Sequence, residues 1–190
     1  MPVPIVAHNT YDIFKNTTLG NAYDIDGYPV GQPYQCWDYV DLLYQQSDVG
    51  QYLYTDANVG GSDDGVKTCW TNTRARQLNG SGNFSTVTNV TDVKKGDIIV
   101  FDEYSGWYSS TGHIGFADED YNGTDMIRLL SQNFYGHHYV VLEQAYLGTA
   151  FLGAFRFNAW NSPTPTPASE KRKKFPWAIA WENWDGFKLR

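Results

Sequence analysis

The chain has 190 residues, 42% hydrophobic and 18% charged, which suits one globular domain and excludes a disordered chain. Its net charge of −7 argues against a nucleic-acid partner, which would select a basic face, and leaves room for a cation. No stretch reaches the roughly 18 apolar residues of a membrane span, and residues 1–6 carry no basic start or long apolar run of a secretory leader.

Residues 1–20 are polar and mixed, with a weak helical pattern around 11–19. Residues 24–35 (DIDGYPVGQPYQ) are dense in Gly and Pro and read as an ordered loop. At Cys36 the character changes. In CWDYVDLLYQQ, Trp37, Val40, Leu43 and Tyr44 recur at helical spacing, which predicts a helix whose first turn contains Cys36. Residues 47–65 read as a loop and 66–79 as a second, shorter helix. Five short β-branched or aromatic runs follow, at 97–102, 113–118, 126–133, 138–145 and 151–157. Separated by Gly, Asn and Ser, they predict a meander of antiparallel strands. Helices followed by strands imply an α+β fold with N-terminal helices packed on an antiparallel sheet. Residues 161–168 (NSPTPTPA) form a stiff, extended linker. The tail beyond it joins a basic cluster to three Trp residues and is too short to fold alone. The division is therefore 1–160, a domain, and 161–190, linker and tail.

The two cysteines, Cys36 and Cys69, do not make a disulfide framework, and free thiols fit a reducing compartment. Cys69 lies mid-helix with no histidine matched to it and reads as a buried structural residue. Cys36, at a helix N-terminus, is placed where partial positive charge lowers a thiol's pKa. A cysteine nucleophile also needs an imidazole to take its proton and pass it to the leaving amine. His8 lies in the polar arm, and His137 and His138 in a turn. His113 opens the HIGFAD strand, where Gly115 and Ala117 share its face and would let a helix pack close, bringing Cys36 to His113. By strand alternation Asn133 shares a face with Ile127, Leu129 and Ser131, so its amide oxygen could hold the far imidazole nitrogen. Cys–His–Asn in that chain order is the papain arrangement. Gln35 could supply an oxyanion donor beside the Cys36 backbone N–H.

The segments DGYPVGQPYQCWDYV, VKKGDIIVFD, TGHIGFAD and LLSQNF together resemble the CHAP family of cysteine, histidine-dependent amidohydrolases/peptidases. Four marks occur in order, as Gln35–Cys36, Gly96–Asp97, Gly112–His113 and Asn133–Phe134, over about residues 20–158. The resemblance implies a papain-like fold with Cys36 as nucleophile, His113 as base and Asn133 as helper. Many relatives carry Glu two residues before that Asn. Here the position is Ser131, so the orienting role is expected to pass to Asn133 ahead of Asp118, which alternation puts on the opposite face from His113.

DIDG also spaces Asp24 and Asp26 so that both carboxylates can converge on a hard cation. It is no EF-hand, because the twelfth position holds Gln35 rather than Glu. Some relatives bind calcium through such a loop and an Asp two residues after the cysteine. The resemblance thus implies a structural calcium held by Asp24, Asp26 and Asp38, with backbone oxygens of Tyr28 and Val30, in a loop about three residues longer than theirs. The same residues read alternatively as a turn and a first-turn helix acid.

The function implied is a peptidoglycan hydrolase, endopeptidase or N-acetylmuramoyl-L-alanine amidase, of the phage endolysin or virion-associated type. Such a lysin reaches the wall from a host cytoplasm or a particle, and the tail could contact the virion, wall polymer or its own domain. The alternative is a phage structural or wall-binding module with a weak or inactive site.

Overall fold

The computed structural model describes residues 10–25, 34–46 and 52–161. Helix α1 (Tyr11–Thr18) starts where Thr10 accepts the Ile13 N–H. Helix α2 (Cys36–Gln46) follows. The single helix expected over 66–79 is two, α3 (Thr68–Thr71) and α4 (Thr73–Asn79). The break is Asn72, whose extended backbone ends one helix while its side-chain oxygen accepts the Arg74 and Ala75 N–H groups that start the next.

Six strands form one antiparallel sheet: β1 (Phe84–Val87), β2 (Ile98–Phe101), β3 (His113–Ala117), β4 (Met126–Ser131), β5 (Val141–Tyr146) and β6 (Phe151–Phe157). Their order is β1-β6-β2-β3-β4-β5. The meander holds for β2 to β5, but β6 returns to lie between β1 and β2. β1 is not among the expected strands. Its FSTV run is short, buried only at its two ends, and pairing with β6 makes it a strand. A last turn, α5 (Asn158–Asn161), follows β6.

Alternation divides the sheet into two apolar faces. One buries Ile98, Val100, Ile114, Phe116 and Phe155 against Tyr39, Val40 and Leu43 of α2. Phe14 of α1 joins this core, with ring centroids 5.5 Å from Tyr39 and 5.1 Å from Phe116. The other face gathers Ile99, Phe101, Ala117, Leu129 and Phe134. Two buried carboxylates brace this arrangement, one within the sheet and one between the sheet and α1. Asp97 is fully buried and takes Arg156 through Nε at 2.8 Å and Nη2 at 2.7 Å, a bidentate pair that offsets the cost of burying the charge. Asp118 accepts from Tyr11 Oη at 3.0 Å and Lys15 Nζ at 2.7 Å, and pairs with Arg128 Nε at 2.9 Å. It fastens α1 to the sheet rather than serving His113.

Candidate active site

Cys36 is the first residue of α2 and is 8% exposed. Asp38, in the same first turn, accepts the Gln35 N–H through Oδ2 at 2.7 Å and the Ile25 N–H through Oδ1 at 3.0 Å. The first bond is one half of a capping box, satisfying an orphan donor at the helix start. The second pins the incoming chain. The nearby backbone N–H dipoles of Ile114, Trp37 and Cys36 itself favour the thiolate and pull the thiol pKa down. Burial outweighs them and pushes it up to about 11. The expectation of a thiol acidified by its helix is therefore corrected: the amides act as expected, but desolvation is the larger effect.

His113 opens β3 and is 5% exposed. Gly112 before it has φ +75°, and a Cβ there would overlap the Phe101 carbonyl and the Lys67 side chain, so only glycine makes this approach. The imidazole lies against the rings of Phe134 at 4.9 Å and Tyr108 at 5.7 Å. This burial lowers its pKa to about 3, so the ring is neutral at physiological pH. Its Nε2 is 3.1 Å from Ser131 Oγ.

Three expectations about this pair are corrected. Helix α2 packs on the Ile114/Phe116 face of the sheet, not on the face His113 shares with Gly115. The small residue at 115 instead makes room for β4, since a Cβ there would lie 2.7 Å from the Ser131 Cβ. Cys36 lies by the amide of Ile114, the residue that follows His113. Finally, the contact expected from Asn133 to the imidazole is made by Ser131. β4 ends at Ser131, and Asn133 has φ +57°, so alternation does not run on to it. Its amide donates to Gln35 Oε1 at 3.0 Å, on the nucleophile's side.

Sequence reasoning missed Gln132, which is fully buried and hydrogen-bonded to Tyr23 and Gln35. It also missed the aromatic cover of Tyr108 and Phe134. The signal for Gln132 was its place between Ser131 and Asn133, on the opposite side of the alternating strand from Ser131.

The match to the CHAP domain model runs over residues 26–133, more than half of the chain and including Gln35, Cys36, His113 and Asn133. The chain belongs to the CHAP domain family. In this family member the Gly96–Asp97 mark is architectural, through the Arg156 pair, whereas Gly112–His113 belongs to the site. The fold is similar to the crystal structure of a wild-type endolysin, LysIME-EF1, at 18% identity and a TM-score of 0.53, covering 77% of this chain and 63% of that one. It is similar also to that of Ly7917, at 16% identity and a TM-score of 0.50, covering 78% and 62%. The chain thus spans less than two thirds of either. Comparison with curated protein sequences finds no match.

Of the expected calcium ligands, Asp26, Tyr28 and Val30 lie outside the described residues. Asp24 is exposed, and the Ile25 N–H bond to Asp38 brings its segment against the Asp38 carboxylate. Among the described residues, no group of three or more His, Cys, Asp or Glu side chains is placed to hold a metal. None of the described helices is long and apolar enough to cross a membrane.

Proposed function

We propose that this protein hydrolyses amide bonds of bacterial peptidoglycan by a thiol mechanism carried by Cys36 and His113. The supporting observation is the run Ser131–Gln132–Asn133. Its first residue touches the imidazole, and the other two hold Gln35 beside the thiol. Family membership and the likeness to an endolysin fold add to this reading.

With Nε2 facing Ser131, Nδ1 is the nitrogen left to receive the Cys36 proton. Both groups rest neutral, so the proton moves to Nδ1 as Sγ attacks the carbonyl carbon, rather than before it. The oxygen that gains charge accepts from the Cys36 backbone N–H and from Gln35 Nε2, which is free to turn outward because Oε1 is occupied by Asn133. The imidazolium then gives its proton to the departing amine. Water, deprotonated by the same nitrogen, cleaves the thioester, releases the carboxylate and restores the thiol. Stem-peptide, cross-bridge and muramoyl–alanine amides all suit this chemistry.

Calcium is proposed as a structural ion on Asp24, Asp26 and Asp38, with backbone oxygens of Tyr28 and Val30. The described part of this set fits. The Asp38 carboxylate stands where the chain from residue 25 meets the start of α2, and all the proposed donors are hard oxygens. The ion would neutralise the carboxylates and hold the chain entering α2. The lysin is proposed to be of phage origin, released to the wall or carried in the particle, with residues 161–190 contacting virion or wall polymer.

A second reading, a wall-binding module with weak catalysis, draws on the deep burial of both thiol and imidazole. Turbidity of Gram-positive cells decides between them. Clearing by wild type and not by Cys36→Ala supports the hydrolase, and equal behaviour of the two removes the thiol mechanism. Mass spectrometry of the released fragments names the bond.

A further inference from the structure

Gln132 is wholly buried at the end of β4, and its primary amide has three hydrogen-bonding positions to satisfy besides a spare lone pair. All three are used on the chain that leads to the nucleophile. Oε1 accepts the Tyr23 N–H at 2.8 Å, and Nε2 donates to Tyr23 O at 2.7 Å and to Gln35 O at 3.0 Å. The first two bonds continue a ladder begun by Gly20 N to Val140 O and Val140 N to Asn21 O, at 2.9 and 2.8 Å. The third differs. The Gln35 carbonyl belongs to the same peptide group as the Cys36 N–H, and in a planar trans peptide the two point in opposite directions. Anchoring that oxygen therefore aims the Cys36 N–H away from Gln132. A hydrogen bond on the carbonyl also polarises the peptide and strengthens its N–H as a donor.

We infer that Gln132 is a positioning residue, which sets the plane of the Gln35–Cys36 peptide so that the Cys36 N–H faces the oxygen of the attacked carbonyl. This deepens the hydrolase reading and rests on it. Because Ser131 and Asn133 flank it, one turn of chain at the end of β4 orients the imidazole, the nucleophile's backbone and the Gln35 side chain.

The test compares wild type with Gln132→Met, which keeps the volume and loses all three bonds. Initial rates of turbidity loss are measured over a range of purified Gram-positive wall concentrations, with hydrogen–deuterium exchange on the same samples. The expected result is a fall in apparent kcat of about 10- to 100-fold with KM within about two-fold, as for a misaimed oxyanion donor. Exchange should rise at residues 21–25 and 35–38 and stay at the wild-type level across β2, β3 and β6. A folded variant with wild-type kcat overturns the inference, as does a rise in exchange spread evenly over the sheet. Should Gln132→Met not fold, Gln132→Glu carries the comparison, since it keeps the acceptor for Tyr23 N–H and loses both donors. Failure of both to fold also overturns it, by making Gln132 a core requirement. A wild type that clears no walls removes the hydrolase reading, while exchange still judges the clamp.

Discussion

The two sides of the site are held by opposite means. The thiol side is a polar scaffold: Asp38 on the Gln35 and Ile25 amides, Gln132 on Tyr23 and Gln35, Asn133 on the Gln35 side chain. The imidazole side is a box of rings, Phe134 and Tyr108, with the Ser131 hydroxyl at Nε2. Hydrogen bonds are directional and fix where Cys36 and its N–H point. Aromatic burial has little direction but excludes water, and so fixes the charge on His113. One side sets geometry and the other sets protonation.

Substitutions should separate these two roles. The largest effect is expected from Cys36→Ala, which should cut lysis by about three orders of magnitude or more and leave the thermal midpoint within a few degrees, by turbidity and calorimetry. Residual lysis near the wild-type rate would dissolve the distinction, because no thiol would need aiming.

The imidazole side should show itself next, in acid. Folded His113 titrates at about 3 rather than near 6.5, so between those values the unfolded chain binds a proton that the folded one does not. Its contribution is full above pH 6.5 and drains as the pH falls towards 3, by a few kcal/mol at most. Urea unfolding from pH 7 to 4 should show this slope in wild type, and His113→Gln should flatten it. Parallel slopes for the two proteins would place the acid sensitivity elsewhere.

On the thiol side, Asp38→Asn keeps one acceptor and loses the other, at a cost of about 1–2 kcal/mol. Calcium should raise the wild-type melting temperature and leave the variant's unchanged, and a wild type indifferent to both calcium and EDTA would remove the ion. Phe134→Leu opens the box and should raise the His113 pKa, read by NMR titration, with a stability loss near 1 kcal/mol. The smallest effect is expected from Ser131→Ala. It removes one neutral hydrogen bond and should slow lysis about three- to ten-fold with unchanged KM. A larger loss there than for Phe134→Leu would reverse the assignment of roles.

Much of the fold was legible in the chain. The spacing of Val40, Leu43 and Tyr44 announced α2, and the runs around Ile98, His113, Met126, Val141 and Phe151 announced five strands, because burying one face imposes a period. β1 was not legible, since FSTV carries too little pattern and owes its state to pairing with β6. The break at Asn72 was overlooked although Asn is a strong cap, because the apolar spacing runs across it. In the candidate site, the Gly-His and Gln-Cys pairs marked the starts of β3 and α2. The error over Asn133 came from extending alternation two residues past the end of β4, where a left-handed backbone turns the side chain from the imidazole towards Gln35.

The sequence alone determined the α+β class, the segments that form the site and the family they belong to, since these rest on local periodicity and on residue types in fixed order. Only the tertiary structure decided which face of β3 takes the helix, which neighbour touches His113, and that both thiol and imidazole rest neutral. Faces, neighbours and dielectric are set by segments brought together from positions 23, 36, 113 and 132, and no local pattern encodes how far water is excluded between them.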